Sequence, residues 1–201
     1  AVLLGLCQEL QQNTSTPVRV VFFDREEAWL RTPFLRFGLL GSMYYAFRTD
    51  LTNIAAVYNL EFCGLGQSLG VWPVKKTRQE LPAVRTMARV AAKMNVDIRY
   101  SHIPWVFITS DHLSFRLRGL SNAVTLSLLP GTQATELERF MSQISVGRLL
   151  TGRKPALPGV LASLHTMADN SSQLNEDSLG LMLTLLREII QDYHASNNRM
   201  S

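Results

Sequence analysis

The chain has 201 residues, 46% hydrophobic and 18% charged, which is enough to bury a sizeable core in one domain and excludes a disordered chain. Its net charge of +4 comes from scattered arginines with no stripe of bases interleaved with aromatics, so nucleic acid is not an expected partner. No apolar run approaches the roughly 20 residues of a membrane span, and Cys7 and Cys63 form no CxxC pair, which reads as buried free thiols rather than a disulfide or a zinc site.

Leu3, Leu4, Leu6, Cys7 and Leu10 recur at helical spacing opposite Gln and Glu, which predicts a helix over 1–12. The segment has no basic lead or small-residue cleavage site and is not read as a signal peptide. It reads as a helix entered partway, so the chain is expected to be the carboxyl-terminal part of a longer domain. A polar turn at 13–17 precedes Val18 to Phe23, an apolar run that predicts a buried strand. The strand ends in three acids, Asp24, Glu26 and Glu27. Acids at the carboxyl end of a strand in an open α/β sheet are either a solvated turn or part of a site.

The stretch from Arg25 to Leu40 reads as a long loop. Its aromatics Trp29, Phe34 and Phe37 would rim a pocket or pack beneath the loop. Ser42 would cap a short helix through Phe47. Asn53 to Phe62 predicts a strand ending at Glu61. The glycine-rich CGLGQSLG that follows lacks the strand-turn-helix setting of a dinucleotide site.

Trp72 to Val74 reads as a short strand. Glu80 to Met94 reads as an amphipathic helix with Leu81, Val84, Met87, Ala88, Ala91 and Met94 inward and Pro82 in its first turn. Val106 to Ile108 reads as a strand leading to Ser110-Asp111-His112, then a short helix over Leu113 to Arg118 ended by Gly119, then a strand over Asn122 to Leu129. Between Pro130 and Ser163 the pattern predicts a helix at Glu136 to Ile144 and, in the Gly- and Pro-bearing second half, an excursion or lid. After Leu164-His165-Thr166 comes a final helix from Glu176 to Tyr193, whose opening acids suit the helix dipole. The expected organisation is a single domain over 1–194, partial at its amino end, with a disordered tail over 195–201. The order of elements predicts a three-layer α/β/α sandwich on a mixed, largely parallel sheet.

Asp24, Glu26, Glu27, Glu61, Ser110, Asp111, His112 and His165 all fall at strand ends. Each alone can be a turn charge, a helix-cap residue or a loop residue. Together they offer carboxylate and imidazole, the ligands a catalytic zinc accepts. Adjacent glutamates also allow one to bind metal while the other moves protons.

These segments resemble a known family. VVFFDREE followed by GLLGS, YNLEFCG, SDHLSFRLRGL and LHTMADNSSQLNEDSL are similar, in order, to motifs of the zinc-dependent aminopeptidases that share a fold with the glutaminyl cyclases. The resemblance implies Glu26 as general acid/base and Glu27, Glu61 and His165 as ligands of one or two zinc ions. It implies Asp111, His112 and Asp24 as supports of those ligands or of the proton network. Trp29, Phe34, Phe37 and Leu164 would line the substrate pocket. The implied activity is an aminopeptidase acting on peptides with a free amino terminus; the alternatives are a cyclase forming amino-terminal pyroglutamate and a catalytically incomplete binding protein. Relatives of this kind are often secreted or periplasmic.

The chain departs from the family pattern in several ways. The histidine-x-aspartate ligands and bridging aspartate of the family would lie before the first helix. Glu61 stands where the aminopeptidases use an aspartate. The twelve residues between Glu27 and Leu40 match the longer link of the cyclases, whereas Leu164 and Ser110 replace a tryptophan and an acid that animal cyclases carry.

Overall fold

The strand Ala123–Leu129 (β6) is buried along its whole length, so the remaining structure is arranged around its two faces. Its alternation is apolar on one side, with Val124, Leu126 and Leu128, and mixed on the other, where Thr125 and Ser127 lie between Ala123 and Leu129. The computed structural model describes residues 1–12, 17–24, 30–31, 36–74, 81–101, 110–143, 158–163, 166 and 170–197.

Among these, four strands form a mixed sheet in the order β3-β6-β4-β5, where β3 is Val57–Leu60, β4 is Ser68–Trp72 and β5 is Ile98–Tyr100. β3 runs parallel to β6 with Asn59 opposite Thr125; β4 runs antiparallel to β6 with Trp72 opposite Thr125; β5 runs parallel to β4. Leu69 and Val71 join the apolar residues of β6 in the main core, which is closed by three helices: α1 (Val2–Gln12), α3 (Pro82–Lys93) and a long terminal helix, Glu176–Asn197. On the other face lie α4 (His112–Leu117) and α5 (Gly131–Gln143). There Trp72, Leu129, Ala134, Leu137 and Met141 form a second apolar cluster with Val160 of α6 (Gly159–Ser163). The terminal helix is α7 in chain order. Helices on both faces of a mixed sheet give the α/β layering expected from the sequence.

Several helix ends are satisfied by residues distant in sequence. α3 has no cap of its own at Leu81, and its Ala83 N–H donates instead to Asn122 Oδ1 at 2.8 Å. The Asn122 amide also donates to Ala55 O at 2.5 Å, tying the start of β6 to the approach to β3. α7 is capped locally by Asn175, whose Oδ1 accepts from Asp177 N at 2.8 Å. Arg89–Asp192 at 2.5 Å and Lys93–Glu188 at 2.6 Å pair α3 with α7 at the surface.

The structure corrects some expectations. Val18 to Phe23 is not assigned as a strand: Val20 and Phe23 pack into the cores, but the backbone of 17–24 joins no ladder among the described residues and Phe22 is 62% exposed. An apolar run sets which side chains are buried, whereas a strand also needs partners for its backbone N–H and C=O groups. β3 starts at Val57 rather than Asn53, because Asp50 accepts from Thr52 N at 2.9 Å and Ile54 N donates to Leu51 O at 3.1 Å, turning the chain there.

The loop after Asp24 holds a two-stranded antiparallel ribbon, β1 (Leu30–Arg31) with β2 (Arg36–Phe37), before α2 (Leu40–Arg48). Ser42 does not cap α2. Leu39 precedes the helix with φ 60°, and the buried Ser42 hydroxyl lies 2.8 Å from Ser114 Oγ of α4. α5 begins at Gly131, earlier than expected, and α7 runs to Asn197, beyond Tyr193. β5 was not anticipated, since a strand of three residues leaves too short a pattern to detect. The expected strand at Val106 to Ile108 and most of the excursion before α6 lie outside the described residues.

Leu126 is completely buried between α3 and α7. Leu126→Ala is expected to destabilise the protein by about 2–5 kcal/mol, the range for a large-to-small change in a packed core. Urea unfolding would show this as a lowered midpoint at unchanged slope; a loss under about 1 kcal/mol would contradict the central place given to β6.

Candidate functional site

Asn59 and Glu61 are two residues apart and so project from the same face of the sheet as Thr125, the face that carries α4. Ser110 enters that face from the turn before α4. Glu61 leaves the end of β3 with its own N–H donating to Leu126 O at 3.0 Å. The next residue, Phe62, has φ 51°, a left-handed conformation costly for a bulky side chain, and turns the chain away directly after the carboxylate. Glu61 Oε1 accepts from the Ser110 hydroxyl and from Asn59 Nδ2, the latter at 3.2 Å. Asn59 Nδ2 also lies 2.5 Å from Ser110 Oγ and 3.2 Å from Thr125 Oγ1. Thr125 Oγ1 in turn lies 2.8 Å from His112 Nδ1. Five side chains from β3, β6 and the start of α4 thus form one polar layer, buried at Ser110, His112 and Thr125 and part-buried at Asn59 and Glu61.

His112, the first residue of α4, is 3% exposed, and its ring packs edge-on against Trp72 at 5.5 Å between centroids. Burial, assisted by the Arg116 guanidinium, pushes the imidazole down to about 3, so it is neutral at ordinary pH. Asp111 is 7% exposed and faces a different neighbour, the Ser42 hydroxyl of α2. Burial raises its carboxyl above the usual range, with the Ser42 hydrogen bond working in the opposite direction. Its Oδ1 has no hydrogen-bond partner among the described residues. Asp24 sits against the start of α2. A Cβ at Gly41 would collide with the Asp24 carbonyl oxygen, so the glycine of the GLLGS motif is what lets this backbone approach. Beside it lies an open groove of about 760 Å³ lined by Phe22, Tyr44 and Phe47 among others.

The structure therefore brings Glu61 and His112 into one network and places Asp111 and Asp24 around α2, on separate partners. Glu26, Glu27, Trp29, Phe34, Leu164 and His165 lie outside the described residues, as does the side chain of Phe37. Sequence reasoning missed Asn59 and Thr125. The signal available was a polar residue inside an otherwise apolar strand, YNLEF and AVTLSLL, where burial demands a partner.

Among the described residues no three of His, Cys, Asp and Glu gather closely enough to hold a metal ion. Glu61 is the expected ligand that this part of the chain supplies. Its chemistry fits that role: a carboxylate at a strand end with one oxygen held by neutral donors, as outer partners hold metal ligands in place.

The family profile described as Peptidase family M28 matches residues 1–190, nearly the whole chain. The chain belongs to peptidase family M28. No curated protein and no solved structure matches it. Family M28 consists of metallopeptidases that are generally zinc-dependent, so peptide-bond hydrolysis is the class of chemistry to which this fold is matched. No described helix of this M28 chain is long and apolar enough to cross a membrane.

His112 makes stability depend on pH. Its folded pKa lies below the unfolded value near 6.5, so its contribution is complete above pH 6.5 and is lost as pH falls toward about 3. The slope from this one group is at most about 1.4 kcal/mol per pH unit. Asp111 acts in the opposite sense, because its raised carboxyl is relieved of its burial cost as pH falls. The difference between the parent chain and His112→Gln isolates the histidine: the variant is expected to lose the steep fall between pH 6.5 and 4 in urea titrations. Parallel pH curves for the two proteins would show that His112 is not held neutral.

Proposed function

We propose that the protein is a zinc-dependent aminopeptidase in which Glu26 is the general acid/base and Glu27, Glu61 and His165 hold the metal. The observation that carries this reading is the Glu61 carboxylate, held at the end of β3 by Ser110 and Asn59 within a chain matched to M28 over residues 1–190. Zinc, when bound, supplies Lewis acidity that polarises the scissile carbonyl and makes water a usable nucleophile near pH 7. Glu26 takes a proton from the attacking water as the new C–O bond forms and returns it to the amine as the C–N bond breaks. Glu27 and His165 follow the division of ligands expected from the sequence. Asp111 and His112 support the surrounding hydrogen-bond network, and the aromatics Trp29, Phe34 and Phe37 with Leu164 shape the substrate pocket.

A glutaminyl cyclase is the second reading, favoured by the twelve residues between Glu27 and Leu40. There Glu26 would move a proton from the substrate's α-amine to the departing ammonia. Assays with aminoacyl anilides and with glutaminyl peptides separate the two. The expected result is release of the aniline with no pyroglutamate formed; pyroglutamate without peptide cleavage would replace the first reading by the second. Turnover of neither substrate by zinc-loaded protein would favour a binding protein. Glu26→Gln is expected to lower kcat by about 10²–10⁴-fold, the usual contribution of a positioned acid/base, and full activity in that variant would remove Glu26 from the role.

A further inference from the structure

The polar layer on the α4 face of the sheet is organised around one acceptor. Ser110 spends its single hydroxyl hydrogen on Glu61 Oε1, so its own oxygen is left to accept from Asn59 Nδ2 at 2.5 Å. The Asn59 amide has two hydrogens within reach of three acceptors, Ser110, Thr125 and Glu61, so both hydrogens find a partner in the layer. Thr125 lies directly opposite Asn59 in the parallel register, and its hydroxyl is held by His112 Nδ1 at 2.8 Å. Ser110 and Thr125 are fully buried. Burying this many polar groups in a face that could hold leucines costs stability unless every one of them is bonded. The bonds converge on the part-buried Glu61, at the end of the strand.

We propose that Asn59 and Thr125 are positioning residues for the Glu61 carboxylate, Asn59 acting on it directly and through the Ser110 hydroxyl, and Thr125 acting by holding the Asn59 amide. They touch neither substrate nor metal. They fix the rotamer of the group that does, and so lower the reorganisation needed when the metal is taken up. The inference rests on the reading of Glu61 as a zinc ligand.

The test is the zinc dissociation constant of the metal-free protein, measured by competition with a chromogenic chelator. Asn59→Leu and Thr125→Val are expected to weaken zinc binding by about 10-fold or more, as the loss of an outer partner of a ligand does, and Glu61→Gln to weaken it at least as much. Thr125→Ser keeps the hydroxyl and is expected to stay near the parent value. Valine and threonine are close in shape, so the Thr125→Val and Thr125→Ser pair carries the result if Asn59→Leu does not fold. Weakened binding in Glu61→Gln with parent affinity in Thr125→Val would overturn the positioning role while leaving the metal reading intact. Parent affinity in Glu61→Gln, or no zinc binding at all, would remove Glu61 from the ligand set and the proposal with it.

Discussion

The parallel register between β3 and β6 sets Asn59 beside Thr125, and most of the site depends on that one alignment. Strand side chains alternate with a period of two, so a slip of one residue would send Asn59 and Glu61 into the apolar core among α1, α3 and α7. It would also bring Tyr58 and Leu60 to the face where Ser110 and His112 wait. The register is protected by chemistry on both sides. Val124, Leu126 and Leu128 can be satisfied only against apolar helices, and Thr125 only against donors and acceptors.

The two faces of the sheet do different work. The face with α1, α3 and α7 is mainly apolar and carries the main core, reinforced at its margin by exposed ion pairs whose contribution is small. The α4 face holds a polar layer at Asn59 and Thr125 between two apolar clusters, one of Val57, Phe115 and Ala123 at the start of β3 and one toward α5 and α6. A layer of this kind tolerates little disturbance, because each group left unpaired is penalised by burial. Stability is thus supplied mainly from one side of the sheet, and the other side is free to place a carboxylate.

Much of the α/β architecture was legible from pattern. The helices at 2–12 and 82–93, the strand over 123–129 and the long helix from Glu176 have strong periodicity or complete burial, and their boundaries fell close to expectation. Glu61 and His112 were legible as polar residues at element ends. The polar layer that joins them was not, because Asn59 and Thr125 are 66 positions apart and meet only through strand pairing. Val18 to Phe23 misled in the opposite way. It has the composition of a buried strand, yet its backbone finds no ladder among the described residues, and composition says nothing about where a backbone partner lies. Ser42 likewise looked like a local cap, whereas its hydroxyl meets Ser114, 72 positions away.

Composition and motif order by themselves determined the class of fold, the family and the identity of the acids and histidines available for chemistry, since these follow from local periodicity and from short residue patterns. The tertiary structure decided which of those groups share an environment. It joined Glu61 to His112 through Ser110, Asn59 and Thr125, turned Asp111 toward Ser42, and packed Asp24 onto Gly41. The physical reason is that hydrogen bonds and burial act over a few ångströms in space, while the residues that supply them are spread along the chain and are brought within reach only by the pairing of strands and the packing of helices.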